Sequence, residues 1–276
     1  MEKNRLDILM EERGLAHSRS LAQRLIMAGM VRVNGQVVLK PGTKINTRDA
    51  IELSQPPRFV SRGGEKLLAA LIAFDLTSLA GKICVDVGAS TGGFTDCLLQ
   101  HGAEKVYAVD VGYGILDWKI RNDPRVVVME KHNARYVKSF EDRIDLVVVD
   151  ASFISLRTLL PVIRTWFESG KGEVIALIKP QFEASRVETA RGSGVIRDPD
   201  VHRGVLQQVL LFSQHDGYGI KGLVKSPLTG PKGNIEFLVH LEYPSNSDTD
   251  IDMLIETLQL VPPSDDPEAE PVGKLK

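Results

Sequence analysis

The stretch that decides the fold spans residues 84–96 and reads Cys-Val-Asp-Val-Gly-Ala-Ser-Thr-Gly-Gly-Phe-Thr-Asp. An apolar run at 83–87 ends in Gly88, and Gly92 and Gly93 precede an amphipathic pattern. This succession predicts a strand, a tight turn and a helix, because glycine lets the backbone turn sharply and lets a ligand approach closely. The stretch therefore predicts the first strand–turn–helix unit of an α/β fold.

A carboxylate ends the next predicted strand, Val106-Tyr-Ala-Val-Asp110. A carboxylate in this place suits the two hydroxyls of a ribose. The glycines do not form G-x-G-x-x-G and no Lys-Ser/Thr follows them, so an adenosine ligand without phosphates fits better than a dinucleotide or a P-loop phosphate. S-adenosylmethionine is such a ligand and is the expected cofactor. Asn133 is a candidate contact to the adenine, but an asparagine at this place is also typical of a loop or a helix cap. The expected cofactor-binding residues are Asp86, Gly88, Ser90, Gly92, Gly93, Phe94, Asp110 and Asn133.

Apolar runs of strand length recur along the chain with helical patterns between them. Strands are predicted at 83–87, 105–110, 126–129, 144–149, 173–178, 219–225 and 235–241, and helices near 64–74, 92–101, 155–167 and 201–216. This alternation predicts an α/β, doubly wound and mainly parallel sheet. No helical pattern separates the last two strands, so we expect a C-terminal antiparallel pair, as in Rossmann-like S-adenosylmethionine methyltransferases.

The first fifty residues form a separate α+β pattern. Helical spacing stops at Gly14, a second helix follows Ser18 or Ser20, and residues 31–38 alternate around an Asn-Gly turn typical of a hairpin. The motifs Arg5-Leu-Asp, Gly-Leu-Ala-His-Ser-Arg-Ser at 14–20 and Ala-Gly-Met-Val-Arg-Val-Asn-Gly at 28–35 resemble the small RNA-binding domain of ribosomal proteins, tyrosyl-tRNA synthetases and pseudouridine synthases. The resemblance implies that arginines face structured RNA, whose phosphates suit their guanidinium forks. The expected RNA-binding residues are Arg5, Arg19, Arg24 and Arg32.

Charge and composition bound the remaining possibilities. Residues 1–66 carry a net charge of +5 and residues 245–276 a net charge of −6, so the basic head suits a polyanion. The two cysteines, Cys84 and Cys97, exclude a disulfide framework, and we expect no metal site. Neither a signal-peptide pattern nor a membrane-length apolar run occurs, so we expect a cytoplasmic protein without a membrane partner.

The predicted divisions are a small RNA-binding domain at 1–53, a linker at 54–59, the α/β domain at 60–244 and an acidic, partly disordered tail at 245–276.

Four charged residues lie at the ends of apolar predicted strands, within such a strand or after a pair of glycines. These positions are unusual for ordinary solvent-exposed surface residues. Asp150 and Lys179 end strongly apolar predicted strands, Glu236 lies within the predicted strand 235–241, and Lys66 follows Arg62-Gly-Gly-Glu. Ligands of doubly wound sheets bind at the carboxyl ends of the strands, beside the glycine-rich turn. We therefore expect two lysines and two carboxylates around one crevice.

The four residues lie in the motifs Ser-Arg-Gly-Gly-Glu-Lys-Leu at 61–67, Val-Asp-Ala-Ser-Phe at 149–153, Ile-Lys-Pro-Gln-Phe-Glu at 178–183 and Gly-Asn-Ile-Glu-Phe at 233–237. These motifs resemble the TlyA (hemolysin A) family, whose second domain is an FtsJ-like ribose 2′-O-methyltransferase, over roughly residues 3–243. The resemblance implies a catalytic tetrad of Lys66, Asp150, Lys179 and Glu236, S-adenosylmethionine as the methyl donor, and RNA, above all ribosomal RNA within ribosomal subunits, as the substrate. Lys179 is expected to position and polarise the ribose hydroxyl, or to act as its base. Lys66 as a neighbouring cation would lower the pKa of Lys179, whereas the carboxylates would raise it.

Two other functions compete with this interpretation. The family label suggests a pore-forming cytolysin, but the sequence contains neither a long apolar segment nor alternating membrane hairpins. A non-catalytic RNA-binding protein is the second alternative. The complete set of four charged residues argues against it, because RNA binding alone does not require such a set.

Overall fold

The computed structural model describes residues 3–27, 29–53, 57–167, 170–246 and 248–260. The chain divides into two compact units, with the boundary between Arg58 and Phe59. Half of the predicted linker (residues 54–56) and the end of the predicted tail (261–276) lie outside the described residues. The limits of the linker and the tail therefore stay predictions.

The N-terminal unit packs two helices against short strands. Its β2–β3 hairpin turns at Asn34 and Gly35, whose φ angles are +49° and +80°, and β5 pairs with the other side of β2. The antiparallel pair β1–β4 is not in the sequence prediction. A core that includes Leu6, Met10 and Ile26 joins the helices to the strands. The elements are β1 (Lys3–Arg5), α1 (Leu6–Glu12), α2 (Arg19–Met27), β2 (Val31–Val33), β3 (Gln36–Val37), β4 (Lys44–Asn46) and β5 (Ile51–Leu53).

The second unit is built on a seven-stranded sheet, which confirms the predicted fold class. Its strands lie in the order β11-β12-β10-β9-β6-β7-β8. The strands from β10 to β8 in this order pair in parallel, whereas β12 lies antiparallel to both β10 and β11. The strands are β6 (Ile83–Val87), β7 (Lys105–Asp110), β8 (Val126–Glu130), β9 (Leu146–Val149), β10 (Gly172–Ile178), β11 (Gly219–Lys225) and β12 (Phe237–Tyr243).

Helices cover both faces of this sheet, because alternate side chains of each strand enter opposite apolar layers. In β6, for example, Cys84 packs in the layer beneath α3 and α4, whereas Val85 packs in the layer beneath α6 and α9. Within the described ranges, no helix is both long and apolar enough to span a bilayer. The helices are α3 (Gly63–Ala73), α4 (Gly93–Gln100), α5 (Trp118–Arg121), α6 (Leu156–Ile163), α7 (Pro180–Glu183), α8 (Arg186–Arg191), α9 (Pro199–His215) and α10 (Ile251–Glu256), with 3-10 turns at Ala134–Tyr136, Arg164–Trp166 and Pro231–Gly233.

Candidate active site

A cavity of about 460 Å3 opens at the carboxyl ends of β6, β7 and β9. This volume falls within the range of about 300–1,000 Å3 usual for small-molecule sites. Four of the predicted cofactor residues line it: Gly88, Ser90, Asp110 and Asn133. Apolar side chains from the strands and from α6 complete its wall, so the cavity combines an apolar body with a few polar groups.

Gly88 is required where β6 turns into the cavity. Its φ is +86°, and a Cβ there would lie 2.8 Å from the carbonyl oxygen of Asp150. A side chain at this position would therefore force apart the ends of β6 and β9. The glycine lets the turn and the first residue after β9 form one continuous wall.

Asp110 is held rigidly at the end of β7. Its Oδ2 accepts a hydrogen bond from the backbone N–H of Ser90 at 2.8 Å, and its Oδ1 accepts one from Gly112 at 2.7 Å. A carboxylate oxygen accepts more than one hydrogen bond, so both oxygens retain capacity for ribose hydroxyls. These two acceptor oxygens thus fit the ribose of an adenosine group such as that of S-adenosylmethionine.

The other four predicted cofactor residues lie behind the cavity wall. Asp86 is fully buried and accepts a hydrogen bond from Thr95 Oγ1 at 2.6 Å, and burial raises the pKa of Asp86 to about 7. Phe94 is buried, and Gly92 and Gly93 face protein atoms on their Cβ sides. These residues shape the turn from beneath, and their contact with a cofactor stays a prediction.

Lys179 and Asp150 form the first of two ion pairs beside the cavity. The two residues directly follow the adjacent parallel strands β10 and β9, and Lys179 Nζ lies 2.6 Å from Asp150 Oδ1. Ser152 Oγ, 3.0 Å away, accepts a hydrogen bond from the same ammonium group. The side chain of Lys179 is only 8% exposed, so its ammonium group is directed by these oxygens rather than by solvent.

Lys66 and Glu236 form the second pair. Lys66 lies on α3, and its Nζ donates to Glu236 Oε2 at 2.6 Å. The two side chains are 8% and 0% exposed. Glu236 Oε1 has no hydrogen-bond partner within the described residues. Gly230 leaves the room that this oxygen needs, because a Cβ at position 230 would collide with it.

Strand pairing brings the two ion pairs to one end of the sheet. Ile178 of β10 pairs with Phe237 of β12 in the antiparallel register. The next positions along this register are Lys179, which follows β10, and Glu236, which precedes β12. The prediction that Glu236 lies within a strand is wrong by one residue, because β12 begins at Phe237. The backbone carbonyl of Glu236 nevertheless accepts a hydrogen bond from Ser226, which fixes the residue just before the strand.

Two neighbouring aromatic residues are absent from the sequence prediction. Phe153 has a φ of +64° and is 90% exposed, and its ring lies 5.0 Å from that of Phe182. The Phe182 ring centroid is 5.9 Å from Lys179 Nζ. Both aromatic residues line a second cavity, of about 580 Å3. Each follows a predicted catalytic residue, Asp150 or Lys179, by three residues, which was a signal, but the left-handed backbone that exposes Phe153 is not visible in the sequence.

The predicted RNA-binding arginines lie on the N-terminal unit. Arg5 and Arg19 both bind the buried carboxylate of Asp7, each at 2.9 Å, and their side chains are 40% and 47% exposed. The Arg5 guanidinium beside Asp7 holds the pKa of that carboxyl well below its usual range. Arg24 and Arg32 are exposed, and Arg32 donates to the carbonyl of Gly35. Asp7 thus fixes two of the four arginines in position on the surface.

Comparisons with known proteins agree with this geometry. Residues 59–243 match the FtsJ-like methyltransferase family, and residues 4–51 match the S4 domain. The 16S/23S rRNA (cytidine-2′-O)-methyltransferase TlyA of Mycobacterium tuberculosis is 44% identical, with 86% of this chain and 89% of the relative covered. Hemolysin A of Brachyspira hyodysenteriae is 46% identical, with 86% and 98% covered. A solved structure from Streptococcus thermophilus, whose name assigns it to the hemolysins, is 43% identical, has a TM-score of 0.69, and covers 93% of this chain and 96% of its own.

The fold and the site therefore define a Rossmann-like methyltransferase preceded by an S4 domain. Within this class, the chain belongs to the TlyA (hemolysin A) family, whose second domain is FtsJ-like, as the sequence motifs predict.

Proposed function

We propose that this protein transfers a methyl group from S-adenosylmethionine to a ribose 2′-hydroxyl of ribosomal RNA in the cytoplasm. The observation that carries the proposal is the position of Lys179. Its ammonium group is paired with Asp150, which lines the cofactor cavity, and it lies beside Phe182, which lines the second cavity. A group between the two cavities is placed to act on an acceptor next to a donor.

The residues of the chain would orient the acceptor and handle its proton. S-adenosylmethionine supplies an electrophilic methyl group when it is bound, with Asp110 holding its ribose. A lysine ammonium group has three N–H donors. Lys179 Nζ donates to Ser152 Oγ at 3.0 Å and to the backbone carbonyl of Asp150 at 3.4 Å, and it lies 2.6 Å from Asp150 Oδ1. A ribose 2′-oxygen would replace the long contact to the carbonyl. Correct placement of the reacting atoms alone removes a large part of a barrier.

The substrate assignment is supported by the relatives and by the basic head. The Mycobacterium tuberculosis relative is named for cytidine-2′-O methylation of rRNA, so we propose a cytidine as the target nucleotide. The S4 domain would dock structured RNA through Arg5, Arg19, Arg24 and Arg32. The exposed ring of Phe153 and the half-buried ring of Phe182 beside it suit a nucleobase next to the reacting ribose.

The test is methyl transfer from labelled S-adenosylmethionine to purified ribosomal subunits. Wild-type protein should label ribose in the rRNA, and Lys179→Ala should abolish turnover while subunit binding changes little. Lys171→Ala is the matched control, because Lys171 is an exposed lysine at the opposite end of β10. Unlabelled subunits with the wild-type protein would reject the proposal, and full activity of Lys179→Ala would remove this residue from the mechanism. Lysis of erythrocytes by the same preparation would favour the cytolysin alternative.

A further inference from the structure

Glu183 is a buried carboxylate that the proposed mechanism does not use. It ends α7, and its side chain is 3% exposed. Its Oε2 accepts a hydrogen bond from Ser155 Oγ at 2.6 Å, and its Oε1 accepts one from the backbone N–H of Leu156 at 2.6 Å. Arg157 Nε lies 3.6 Å from Oε2 and supplies a positive charge. Both oxygens of this carboxylate are therefore occupied by one short segment at the start of α6.

The segment that Glu183 binds continues directly from the active site. Residues 150–155 connect the end of β9 to α6, and this loop carries Asp150 and Ser152, which both contact Lys179 Nζ. Glu183 follows Lys179 by four residues, and α7 begins at the residue after Lys179. Hydrogen bonds and an ion pair thus fasten the Lys179–Glu183 segment at both of its ends to the 150–155 loop and the first residue of α6.

The loop needs such a restraint, because its backbone is not in a preferred conformation. Phe153 lies between the two fastened ends with a φ of +64°, which is unfavourable for a bulky residue. Strained backbone of this kind persists only when surrounding contacts hold it. The contacts at Lys179 belong to the reacting groups themselves, whereas the contacts of Glu183 hold the far end of the loop without involving a reacting group.

We propose that Glu183 is a positioning residue, which keeps the 150–155 loop in register with Lys179 so that Asp150 and Ser152 direct the ammonium group. The proposal rests on the proposed methyl transfer. It assigns to Glu183 a geometric role through both carboxylate oxygens and no contact with substrate or cofactor. A residue with this role changes the rate of transfer more than the binding of either reactant, because a displacement of about 1 Å at the reacting atoms costs about 100-fold in rate.

Three variants separate geometry from charge. Glu183→Ala removes both contacts, and Glu183→Asp keeps the charge but shortens the reach by one methylene group. Glu183→Gln keeps the reach, since its amide oxygen accepts from the N–H of Leu156 while its amide N–H donates to Ser155 Oγ. Glu173→Gln is the control, because Glu173 is a half-buried carboxylate on the amino end of β10, bonded to Lys82 and His240.

The measurement is steady-state methyl transfer at saturating cofactor, which gives kcat and the KM for the subunits, together with calorimetric affinity for S-adenosylmethionine and tryptophan fluorescence as a check of folding. We expect kcat to fall about 10- to 100-fold in Glu183→Ala and Glu183→Asp. Glu183→Gln and Glu173→Gln should stay within about threefold of the wild type, and KM and cofactor affinity should stay within about twofold in all four.

The possible outcomes are distinct. A wild-type kcat in Glu183→Asp overturns the inference, and so does a larger loss of kcat in Glu183→Gln than in Glu183→Asp. Either result shows that the length of the side chain at position 183 does not determine the rate of transfer. A loss that follows unfolding or appears equally in Glu173→Gln also overturns it, and if Glu183→Ala does not fold, the Asp and Gln variants decide. Absence of transfer by the wild type rejects the proposed function itself.

Discussion

Removing Lys66 is expected to destabilise the methyltransferase unit strongly, because it leaves a carboxylate buried without a partner. Glu236 is inaccessible to solvent, its Oε1 has no described partner, and its Oε2 is bonded to Lys66. In Lys66→Ala neither oxygen would be paired. Breaking a buried ion pair from one side costs about 3–5 kcal/mol. With a urea dependence of about 2 kcal/mol per molar, this corresponds to a midpoint lowered by about 1.5–2.5 M.

Tryptophan fluorescence measures this loss in the full chain. The protein has two tryptophans, both in the second unit, and Trp166 is buried in its core. Lys82→Ala is the matched control, because Lys82 pairs with Glu173 at 2.9 Å while both side chains are about 30% exposed. Partly exposed pairs contribute about 1 kcal/mol or less, so its midpoint should fall by less than about 0.5 M.

A double variant completes this test. Replacing both partners, as in Lys66→Met with Glu236→Leu, should recover most of the stability while abolishing activity, because no charge is then buried. Equal midpoints for Lys66→Ala and Lys82→Ala would refute the reasoning, since burial would then make no difference to the pair. A double variant as unstable as Lys66→Ala would show that packing, rather than the unpaired charge, accounts for the loss.

Three further predictions concern other parts of the molecule. Asp110→Ala should weaken S-adenosylmethionine binding about 10- to 100-fold by calorimetry, because it removes a charged hydrogen-bond acceptor; unchanged affinity would place the ribose elsewhere. Arg24→Ala should lower the slope of log affinity for ribosomal subunits against log salt by about one, and an unchanged slope would show that Arg24 contacts no phosphate. The hydrogen bond from His240 lowers the pKa of Glu173 to about 2, so this residue stabilises the fold above about pH 4.3 and the contribution is lost as the pH falls towards 2. Glu173→Gln should therefore flatten the decrease in stability over that range, measured by urea unfolding, and an equally steep decrease in the variant would contradict the assignment.

The sequence predicts the parallel strands well because four of the five are apolar runs that end in a charged residue, and the fifth, β6, ends in the glycine-rich turn. Asp110, Asp150 and Lys179 all occupy such ends, and the sheet places them at one edge. The strands β1 and β4 escape prediction because each has only three residues, most of them polar, so neither shows the alternation of a half-buried strand.

The pairing of the charged residues was beyond sequence reasoning. Lys66 and Glu236 are 170 residues apart, and nothing local indicates which carboxylate each lysine takes. The sequence analysis suggests that Lys66 is a neighbouring positive charge for Lys179. In the structure each lysine is instead paired with its own carboxylate, Lys66 with Glu236 and Lys179 with Asp150. Likewise, only the turn geometry decides that Asp110 faces the cavity while Asp86 is buried beneath it.

The insertion of β12 between β10 and β11 has a consequence for how the enzyme is made. Although β12 is the last strand along the part of the chain that the structure describes, it is an inner strand of the sheet, and Glu236 directly precedes it. During translation, Lys66 is synthesised early and has no buried carboxylate partner until residue 236 has left the ribosome. A nascent or truncated chain that ends before residue 236 therefore lacks an inner strand of the sheet and the carboxylate that pairs with Lys66. The ribosome must complete the chain before the chain has a site with which to methylate ribosomal RNA.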